Sequence, residues 1–264
     1  MHGIVEAIAR LEKVNERDLR LLQASPSANA VVVEAPGLIY KFAMGAPLYP
    51  ASEQAMWSHG RRAGMQTPIL RRTGEVAGRA FIAYNKLLGA APKPTDDVLV
   101  SAGRALARLH AAPPRRGYPM SQRARPRRMR RFGIALESSK ASALRRWAEY
   151  RPLIADACRD WETSHSVATH GDYRCANLLV VDGTLTGVID WSDGRMASRE
   201  SDLGGVDARA LPLVMTGYSS VNDLISIPLV RGYALARIVA LWESSVISDD
   251  AASDTLSTLD KIFR

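Results

Sequence analysis

Cysteine is scarce in this chain, with only Cys158 and Cys175 among 264 residues. Two thiols cannot form a disulfide framework, and their spacing does not match that of a zinc site. The five histidines, at positions 2, 59, 110, 165 and 170, form no metal-ligand cluster along the sequence. So little cysteine is typical of a protein in a reducing compartment, which predicts a cytoplasmic location.

Long apolar runs are also missing. No segment reaches the roughly 18 consecutive apolar residues that a membrane-spanning helix needs. Residues 1–6 lack the basic-then-apolar order that begins a signal peptide. We therefore expect a protein without a membrane partner.

Basic and acidic residues are unevenly distributed along the chain. The net charge is +8, but residues 182–264 contain 12 acids and 7 bases, a balance of −5. Residues 1–181 contain the other 15 acids and 28 bases, a balance of +13. The basic part is compatible with nucleic acid or a polyphosphate nucleotide as a ligand, and the acidic part with a cationic ligand. Solvated faces without a ligand remain an alternative.

Hydrophobic periodicity predicts a β-rich first part. The predicted elements are helical spacing over 4–23, strands at 31–33, 38–42 and 81–84, a helix over 51–64, and turns at Pro36-Gly37 and near 73–75. This pattern indicates a mainly β lobe with one helix.

The second part is predicted to be mainly helical. The predicted elements are an amphipathic helix over 96–111, a helix over 136–161 with a break at Pro152, a hairpin of 178–181 and 185–189, and further helices from about residue 203. The order of β then α predicts an α+β fold of two lobes with a cleft between them. We expect the lobes to span residues 1–84 and 90–264, with a hinge at 85–89.

The most informative segment is His-Gly-Asp-Tyr-Arg-Cys-Ala-Asn at residues 170–177, after which an apolar run ends at Asp190. Asp172, Asn177 and Asp190 place two carboxylates and one amide on a loop and an adjoining strand end. A nucleoside triphosphate with Mg²⁺ needs hard oxygen ligands, and an acceptor hydroxyl needs a carboxylate that orients it. The pattern is typical of kinase-like phosphotransferases, with Asp172 as the catalytic residue and Asn177 and Asp190 as metal ligands.

With the upstream elements, this motif resembles the aminoglycoside phosphotransferase and choline kinase-like family, which is similar in fold to protein kinases. The resemblance runs from about Leu21 to Leu203. It implies a two-lobed protein kinase-like fold, with a small antiparallel β-sheet and one helix in the N-terminal lobe and a larger, mainly helical C-terminal lobe. It also implies Mg²⁺ as cofactor and ATP or GTP as the phosphoryl donor.

The resemblance implies nucleotide-binding roles in the first lobe. Lys41 should contact the phosphates, and Glu53, 12 residues later, should form an ion pair with it. Tyr84 should border the base. The loop over the phosphates should lie at residues 25–29, with Ser27 as a candidate contact. This loop has no glycine, which departs from protein kinases, where glycine lets the backbone approach phosphate closely.

Four residues around the motif are expected to have structural roles. His170 should hydrogen-bond the backbone near Asp190, and Gly171 should permit a tight conformation. Asp202 should stabilise the catalytic loop. We interpret His110 as a hydrogen-bonding residue and not as a base.

Three acids of the second lobe are candidates for the acceptor site: Glu200, Asp207 and Glu243. The acidic character of this part favours a cationic acceptor. The predicted function is therefore transfer of a γ-phosphate to a hydroxyl of an aminoglycoside-like antibiotic, by a monomer or homodimer. A kinase of a metabolite such as choline, homoserine or a sugar is the alternative.

Eight arginines between residues 115 and 131 leave functions of another class open. They are compatible with an anionic acceptor or with RNA, although only Tyr118 and Phe132 are near enough in sequence to stack on bases. A solvated connector is the simpler interpretation, and we do not expect nucleic acid as a partner. A catalytically silent kinase-like protein is a further alternative, but it would have no need of Lys41 and the motif residues together.

Overall fold

The computed structural model describes residues 2–23, 30–43, 48–114, 124–164 and 167–264, in which a β-sheet precedes a mainly helical part. The helices are α1 (His2–Glu12), α2 (Pro50–Arg62), α3 (Val98–Ala111), α4 (Ala124–Leu136), α5 (Ser139–Ser142), α6 (Trp147–Thr163), α7 (Glu200–Leu203), α8 (Leu211–Ser219), α9 (Ile227–Glu243) and α10 (Asp249–Ile262). This order confirms the predicted α+β fold class. Among the described residues, no helix combines the length and apolar character needed to cross a membrane.

A five-stranded antiparallel sheet forms the first part. Its strands are β1 (Arg20–Gln23), β2 (Ala30–Ala35), β3 (Leu38–Ala43), β4 (Leu70–Val76) and β5 (Arg79–Asn85). They pair in the order β1–β2–β3–β5–β4. The predicted Pro36-Gly37 turn joins β2 to β3, with Gly37 at φ +74°. Strand β3 lies in the middle of the sheet and pairs with both β2 and β5, so its backbone is held on both sides.

Side chains of β3 alternate between the two faces of the sheet. Tyr40 and Phe42 share a buried core cluster with Ile4 and Ile8 of α1. Lys41 points to the opposite face, where it meets α2. The sheet therefore has a helix on each face: α2, the one helix assigned to the lobe, and α1, which corresponds to the start of the helical spacing predicted over residues 4–23.

The helical spacing predicted over residues 4–23 holds only as far as Glu12, where α1 ends. Leu21 and Leu22 belong instead to β1, the edge strand next to β2. Both side chains are exposed, so they do not continue the buried face of α1. The helical spacing over residues 4–23 arose because apolar residues of a helix and of a separate strand happen to be spaced as they would be in one helix.

The hairpin predicted around residues 73–75 is present as β4 and β5, but its turn lies later, because Thr73–Glu75 belongs to β4. The chain reverses at Ala77 and Gly78, which have φ values of +51° and +69°. Gly74 was misleading as a turn signal. A Cβ at this position would lie 3.1 Å from the Phe81 ring, so the glycine accommodates an aromatic neighbour in the adjacent strand.

The predicted helix break at Pro152 is also wrong. Helix α6 continues through Pro152, and the interruption falls at residues 143–146, before the helix begins. Pro152 lies near the N-terminal end of the helix, where its missing N–H leaves only the Ala148 carbonyl without its usual partner.

The arginine-rich segment 115–131 is helical from Ala124 onward, and residues 115–123 lie outside the described residues. Helix α4 is not a simple connector, because Phe132 is buried against the rings of Trp161 in α6 and Tyr233 in α9. Its apolar side thus belongs to the core of the second part.

Two short strand pairs frame the segment of the motif. Their strands are β6 (Val167–Thr169) with β9 (Arg195–Ala197), and β7 (Leu178–Val181) with β8 (Thr184–Val188). The β7–β8 hairpin was predicted, and its turn uses Asp182 and Gly183 at φ +48° and +71°. The β6–β9 pair was not predicted, because three-residue strands carry too little periodicity to be detected. Together the pairs fix both ends of residues 170–177 and hold the chain around Asp190.

Residues 85–89 connect the sheet to the helical part. The Lys86 N–H donates to the Gly37 carbonyl at 2.9 Å, and Ala90 pairs with Val180 of β7. These bonds tie the connection to both parts of the molecule. We propose that it is the hinge between lobes of residues 1–84 and 90–264.

Helices α3 and α8 pack backbone against backbone, which leads to a prediction. A Cβ on Gly103 would lie 2.0 Å from the Val214 carbonyl oxygen. Gly103→Ala should therefore force the helices apart and lower the free energy of unfolding by about 2–3 kcal/mol, the usual cost of overpacking. Chemical denaturation followed by circular dichroism measures this change.

Gly133→Ala in α4 is the matched control, because a Cβ there meets nothing within 4 Å. Alanine favours helix, so this variant should be more stable by about 0.5–1 kcal/mol. Equal destabilisation by both substitutions would contradict the packing argument.

Candidate active site

Hydrogen bonds to the Asp202 side chain hold the start of the loop of residues 170–177 in place. The Asp202 carboxylate accepts hydrogen bonds from the N–H groups of His170 and Gly171, each at 2.7 Å. Gly171 has φ +86°, and a Cβ there would lie 2.0 Å from the Asp193 carbonyl oxygen. Only glycine fits this position. The predicted roles of Asp202 in stabilising the loop and of Gly171 in a tight conformation are confirmed.

A buried hydrogen-bond chain holds Asp202 in turn. His110 Nε2 lies 3.1 Å from Asp202 Oδ2, and His110 Nδ1 lies 2.9 Å from the Tyr218 hydroxyl. Burial alone would raise the pKa of Asp202, but hydrogen bonds from His110 and the Gly171 N–H lower it below its ordinary value. His110 is therefore a hydrogen-bonding residue, as predicted. Tyr218 was not singled out, because no local sequence pattern links α8 to α3.

His170 joins the loop to the segment that carries Asp190. Its Nε2 donates to the Ile189 carbonyl at 2.9 Å, and its Nδ1 accepts the Asp172 N–H at 3.2 Å. The predicted bond to the backbone near Asp190 is thus present. In addition, the Ile189 N–H donates to the Asn177 carbonyl at 2.9 Å. Both ends of the motif are therefore anchored to the residue that precedes Asp190.

Asp172 and Asn177 are in direct contact. Asn177 Nδ2 donates to the Asp172 carbonyl at 2.8 Å and to Asp172 Oδ2 at 3.0 Å. These bonds fix the orientation of the buried Asn177 amide, and neither of them involves its Oδ1. The Asp172 side chain is 27% exposed, so its carboxylate is accessible from the cleft.

Arg174 also contacts Asp172, with 3.0 Å between Arg174 Nε and Asp172 Oδ2. Arg174 was not among the residues predicted for the site. A cation inside the variable part of the motif was the signal that could have identified it.

Lys41 forms the centre of an ion-pair cluster at the edge of the sheet. Its Nζ lies 3.2 Å from Asp190 Oδ1 and 3.5 Å from Glu53 Oε1. Lys41 and Glu53 are buried, whereas the Asp190 side chain is 44% exposed. The predicted ion pair between Lys41 and Glu53 is therefore present, and Lys41 also reaches Asp190 across the cleft.

Charge determines the protonation states in this cluster. The Lys41 ammonium lowers the pKa of the Asp190 carboxyl to about 2, against the opposing effect of burial. Burial alone would lower the pKa of Lys41, but the carboxylates of Asp190 and Glu53 raise it above its ordinary value. Asp190 and Lys41 are thus both ionised at neutral pH, and a partly exposed carboxylate stands beside a buried cation.

Trp191 positions α2 relative to Asp190. The indole is fully buried, donates from Nε1 to the Val188 carbonyl at 2.8 Å, and lies 4.6 Å from the His170 ring, measured between centroids. A Cβ on Gly60 of α2 would lie 2.8 Å from the Trp191 ring. The helix that carries Glu53 therefore packs directly on the residue that follows Asp190.

The other predicted nucleotide contacts are Tyr84 and Ser27. Tyr84 lies in β5 opposite Ile39, with its ring 5.4 Å from that of Trp57. Burial raises the pKa of its hydroxyl, and the charges of Lys41 and Asp190 also act on it. Ser27 and the rest of residues 25–29 lie outside the described residues.

The three acids predicted for the acceptor site are all engaged in internal hydrogen bonds. Glu200 is buried and accepts the Ser226 N–H at 3.0 Å. Asp207 accepts the Cys175 N–H at 2.8 Å, which places it against the catalytic loop. Glu243, near the end of α9, accepts bonds from the Ser138 hydroxyl and, at 3.1 Å, from the Lys140 N–H. Of the three, only Asp207 contacts the motif through these bonds.

The oxygen ligands fit Mg²⁺. Asn177 offers an amide oxygen and Asp190 an exposed carboxylate, and both are hard donors. Among the residues that the structure describes, no group of three or more His, Cys, Asp or Glu could hold a metal ion. A site with only two protein ligands suits Mg²⁺, which usually retains water and binds substrate phosphates.

Comparison with known proteins gives one family and one fold. Residues 46–212 match the model of the phosphotransferase enzyme family. No curated protein sequence matches the chain significantly.

Solved structures give the fold at low sequence identity. A thermostable mutant of aminoglycoside phosphotransferase APH(4)-Ia has a TM-score of 0.67 at 14% identity, covering 99% of this chain and 98% of its own. Macrolide 2'-phosphotransferase MphH from Brachybacterium faecium has a TM-score of 0.59 at 16% identity, covering 98% of both chains. A choline/ethanolamine kinase family protein from Mesorhizobium loti has a TM-score of 0.58 at 18% identity, covering 93% of this chain and 85% of its own. These likenesses confirm the protein kinase-like fold.

Proposed function

The chain belongs to the phosphotransferase enzyme family, and we propose that it transfers the γ-phosphate of ATP or GTP to a hydroxyl group of a small molecule. The observation that carries this proposal is that two clusters of polar side chains lie next to each other. The contact of Asp172 with Asn177 and the cluster of Lys41, Glu53 and Asp190 meet through the backbone at Ile189. One site therefore combines a carboxylate for the acceptor, oxygen ligands for a metal and a cation for phosphate.

We assign the nucleotide to the cleft between Lys41 and the motif. Lys41 would bind the phosphates, with Glu53 holding its ammonium in place. Asn177 and Asp190 would hold Mg²⁺, which supplies charge neutralisation for the phosphates when bound. Tyr84 would border the base, and Ser27 would contact the phosphates.

Asp172 would act on the acceptor. Its carboxylate accepts a hydrogen bond from the acceptor hydroxyl and takes the proton as that oxygen attacks the γ-phosphorus. The new bond joins the acceptor oxygen to phosphorus, and the bond to the bridging oxygen breaks. The nucleoside diphosphate leaves with the electron pair.

We take an aminoglycoside-like antibiotic as the first candidate acceptor. APH(4)-Ia, which shares the fold, has been solved in a ternary complex with ADP and hygromycin B. The excess of acids after residue 181 supports a cationic acceptor, and Asp207 is the candidate contact nearest the catalytic loop. We further propose that the enzyme is cytoplasmic and acts as a monomer or homodimer.

A hydroxyl-bearing metabolite is the second candidate. The internal hydrogen bonds of Glu200 and Glu243 favour it, because carboxylates that already accept N–H and O–H groups are less available to a cationic drug. The likeness to a choline/ethanolamine kinase family protein points in the same direction.

The test is nucleotide consumption with Mg²⁺ across a panel of aminoglycosides, macrolides, choline, homoserine and simple sugars, with mass spectrometry of the products. We expect one compound to stimulate turnover and to gain one phosphoryl group. A separate titration measures binding of Mg²⁺-ATP and Mg²⁺-GTP. Failure to bind either nucleotide would contradict the proposed function, whereas binding without stimulation would exclude only the panel members.

A further inference from the structure

A cavity of about 260 Å³ lies outside the active site, and we infer that it binds a small organic carboxylate with an apolar body. It is bounded by residues 64–66 after α2, by residues 183–185 and 187–188 of the β7–β8 hairpin, and by one face of α3. Of the described residues that we assign to the nucleotide, the metal and the acceptor, none lines it. Its volume is just below the roughly 300–1,000 Å³ of pockets for drug-sized molecules, so it suits a smaller ligand.

Arg108, in the last turn of α3, gives the cavity its charge. It is the only charged residue among those that line the cavity in the described chain. Within that part of the chain its exposed guanidinium has neither an ion pair nor a hydrogen bond. Gly64 borders it and leaves space open, because a Cβ there would lie 3.9 Å from Arg108 Nε. One guanidinium matches one carboxylate, which it binds through two parallel hydrogen bonds.

The rest of the lining is divided between an apolar floor and a hydroxyl. Met65, Ala105 and Val188 line the cavity and are buried, so they offer apolar surface without competing charge. Ser101 lies seven residues before Arg108 and therefore on the same face of α3, where it adds a hydroxyl. A ligand with an apolar body and a carboxylate at one end matches this division. An inorganic anion would leave the apolar floor without a partner.

The cavity lies between two segments that lead to the ion-pair cluster. Residues 64–66 follow α2, the helix that carries Glu53, and β8 leads to Asp190. A backbone hydrogen bond joins these segments, with the Val188 N–H donating to the Gln66 carbonyl at 2.9 Å. A ligand in contact with both segments would hold α2 against the chain that ends at Asp190. It should therefore favour nucleotide binding, and this coupling, unlike the site itself, rests on the proposed function.

Benzoate is the probe that tests the site, with benzamide as a neutral molecule of the same shape. Nuclear magnetic resonance titrations of the intact protein follow the backbone amides of Gly64 and Gly183, which line the cavity, and of Gly78 in the β4–β5 turn, which does not. We expect benzoate to shift the first two signals saturably and to leave the third unchanged. Benzamide should bind at least about 10-fold more weakly, because it makes no charge-assisted hydrogen bond. Inorganic phosphate should not displace benzoate.

Two substitutions at exposed positions separate the charge from the space. Arg108→Gln should weaken benzoate binding by at least about 10-fold, the usual effect of losing hydrogen bonds to a charged group. Ser101→Leu keeps the guanidinium but fills part of the cavity, and a similar loss is expected. Arg104→Gln is the matched control, because this arginine of α3 does not line the cavity and its Nε lies 3.4 Å from the Ser220 hydroxyl. It should bind benzoate as the wild type does.

Three results would overturn the inference: no saturable response of the wild type to benzoate, an undiminished response of Arg108→Gln, or displacement of benzoate by inorganic phosphate. The coupling is tested separately. Saturating benzoate should tighten Mg²⁺-nucleotide binding by about 5-fold or more, and the nucleotide should tighten benzoate binding by the same factor. Unchanged nucleotide affinity would overturn the coupling. A protein that binds benzoate but no nucleotide would overturn the proposed function and leave this site in place.

Discussion

Asp172→Asn should lower kcat by roughly 10³-fold while the affinity for Mg²⁺-nucleotide stays within about two-fold, since a positioned general base contributes 10²–10⁴-fold. The physical reason lies in the polarity of the amide. Asn177 Nδ2 donates to Asp172 Oδ2, and Arg174 Nε approaches the same atom. An asparagine at this position would therefore turn its oxygen to these donors and its NH₂ group to the acceptor. An NH₂ group cannot accept the hydroxyl proton.

Two measurements check this expectation. Steady-state kinetics gives kcat, and calorimetric titration gives nucleotide affinity without requiring turnover. Asp250→Asn, which makes the same chemical change on an exposed part of α10, should be indistinguishable from the wild type. A loss of nucleotide affinity equal to the loss of kcat would show that Asp172 serves the nucleotide and not the acceptor.

The parts of the site that follow one another along the chain were predictable from sequence. Asp172, Asn177 and Asp190 occur on a loop and the following strand, so their order and spacing already restrict their geometry. Lys41 and Glu53 were predicted through family resemblance, and in the structure Lys41 Nζ lies 3.5 Å from Glu53 Oε1. The strand assignment of Lys41 was straightforward, because β-branched and aromatic residues are frequent on both sides of the Pro36-Gly37 turn.

Contacts between distant elements were not predictable in the same way. The bond between His110 and Tyr218 joins residues that lie 108 positions apart, and neither has a local pattern that indicates the other. Close contacts between the backbones of two elements were equally hard to predict from the sequence. The α3–α8 contact depends on Gly103, which in sequence resembles a weak helix residue and in the structure allows the two helix backbones to approach closely. Arg174 falls in the same group, because its contact with Asp172 depends on the turn of the loop.

Asp190→Asn is the second substitution with a large expected effect. It should weaken Mg²⁺-dependent nucleotide binding by at least about 100-fold, because losing a metal ligand is more severe than the 10–100-fold typical of its supporting residues. Asparagine is the right replacement for geometric reasons. Asp190 has φ +57°, a left-handed conformation that asparagine adopts more readily than most residues, so the backbone should survive the change.

The nucleotide titration with and without Mg²⁺ separates two effects. Loss of the metal ligand reduces binding only when Mg²⁺ is present. Loss of the negative charge also frees Lys41 from one of its two carboxylates, which should slightly favour phosphate binding in the absence of metal. If Asp190→Asn left Mg²⁺-dependent binding unchanged, Asp190 would not be a metal ligand.

The same variant tests the electrostatics of the protein without ligand. The pKa of Asp190 is lowered from 3.8 to about 2 in the folded state, first of all by Lys41. Its ionised form therefore stabilises the fold at pH values above the unfolded pKa, and this contribution is lost as the pH falls from about 4 towards 2. Melting temperatures of wild type and Asp190→Asn should differ by a constant amount between pH 5 and 8, taking about 1 pH unit above the unfolded pKa as the lower limit. The difference should shrink at lower pH. A difference that stayed constant down to the acid transition would mean that Lys41 does not stabilise the Asp190 carboxylate, and the ion-pair cluster would then have to be assigned to Glu53 alone.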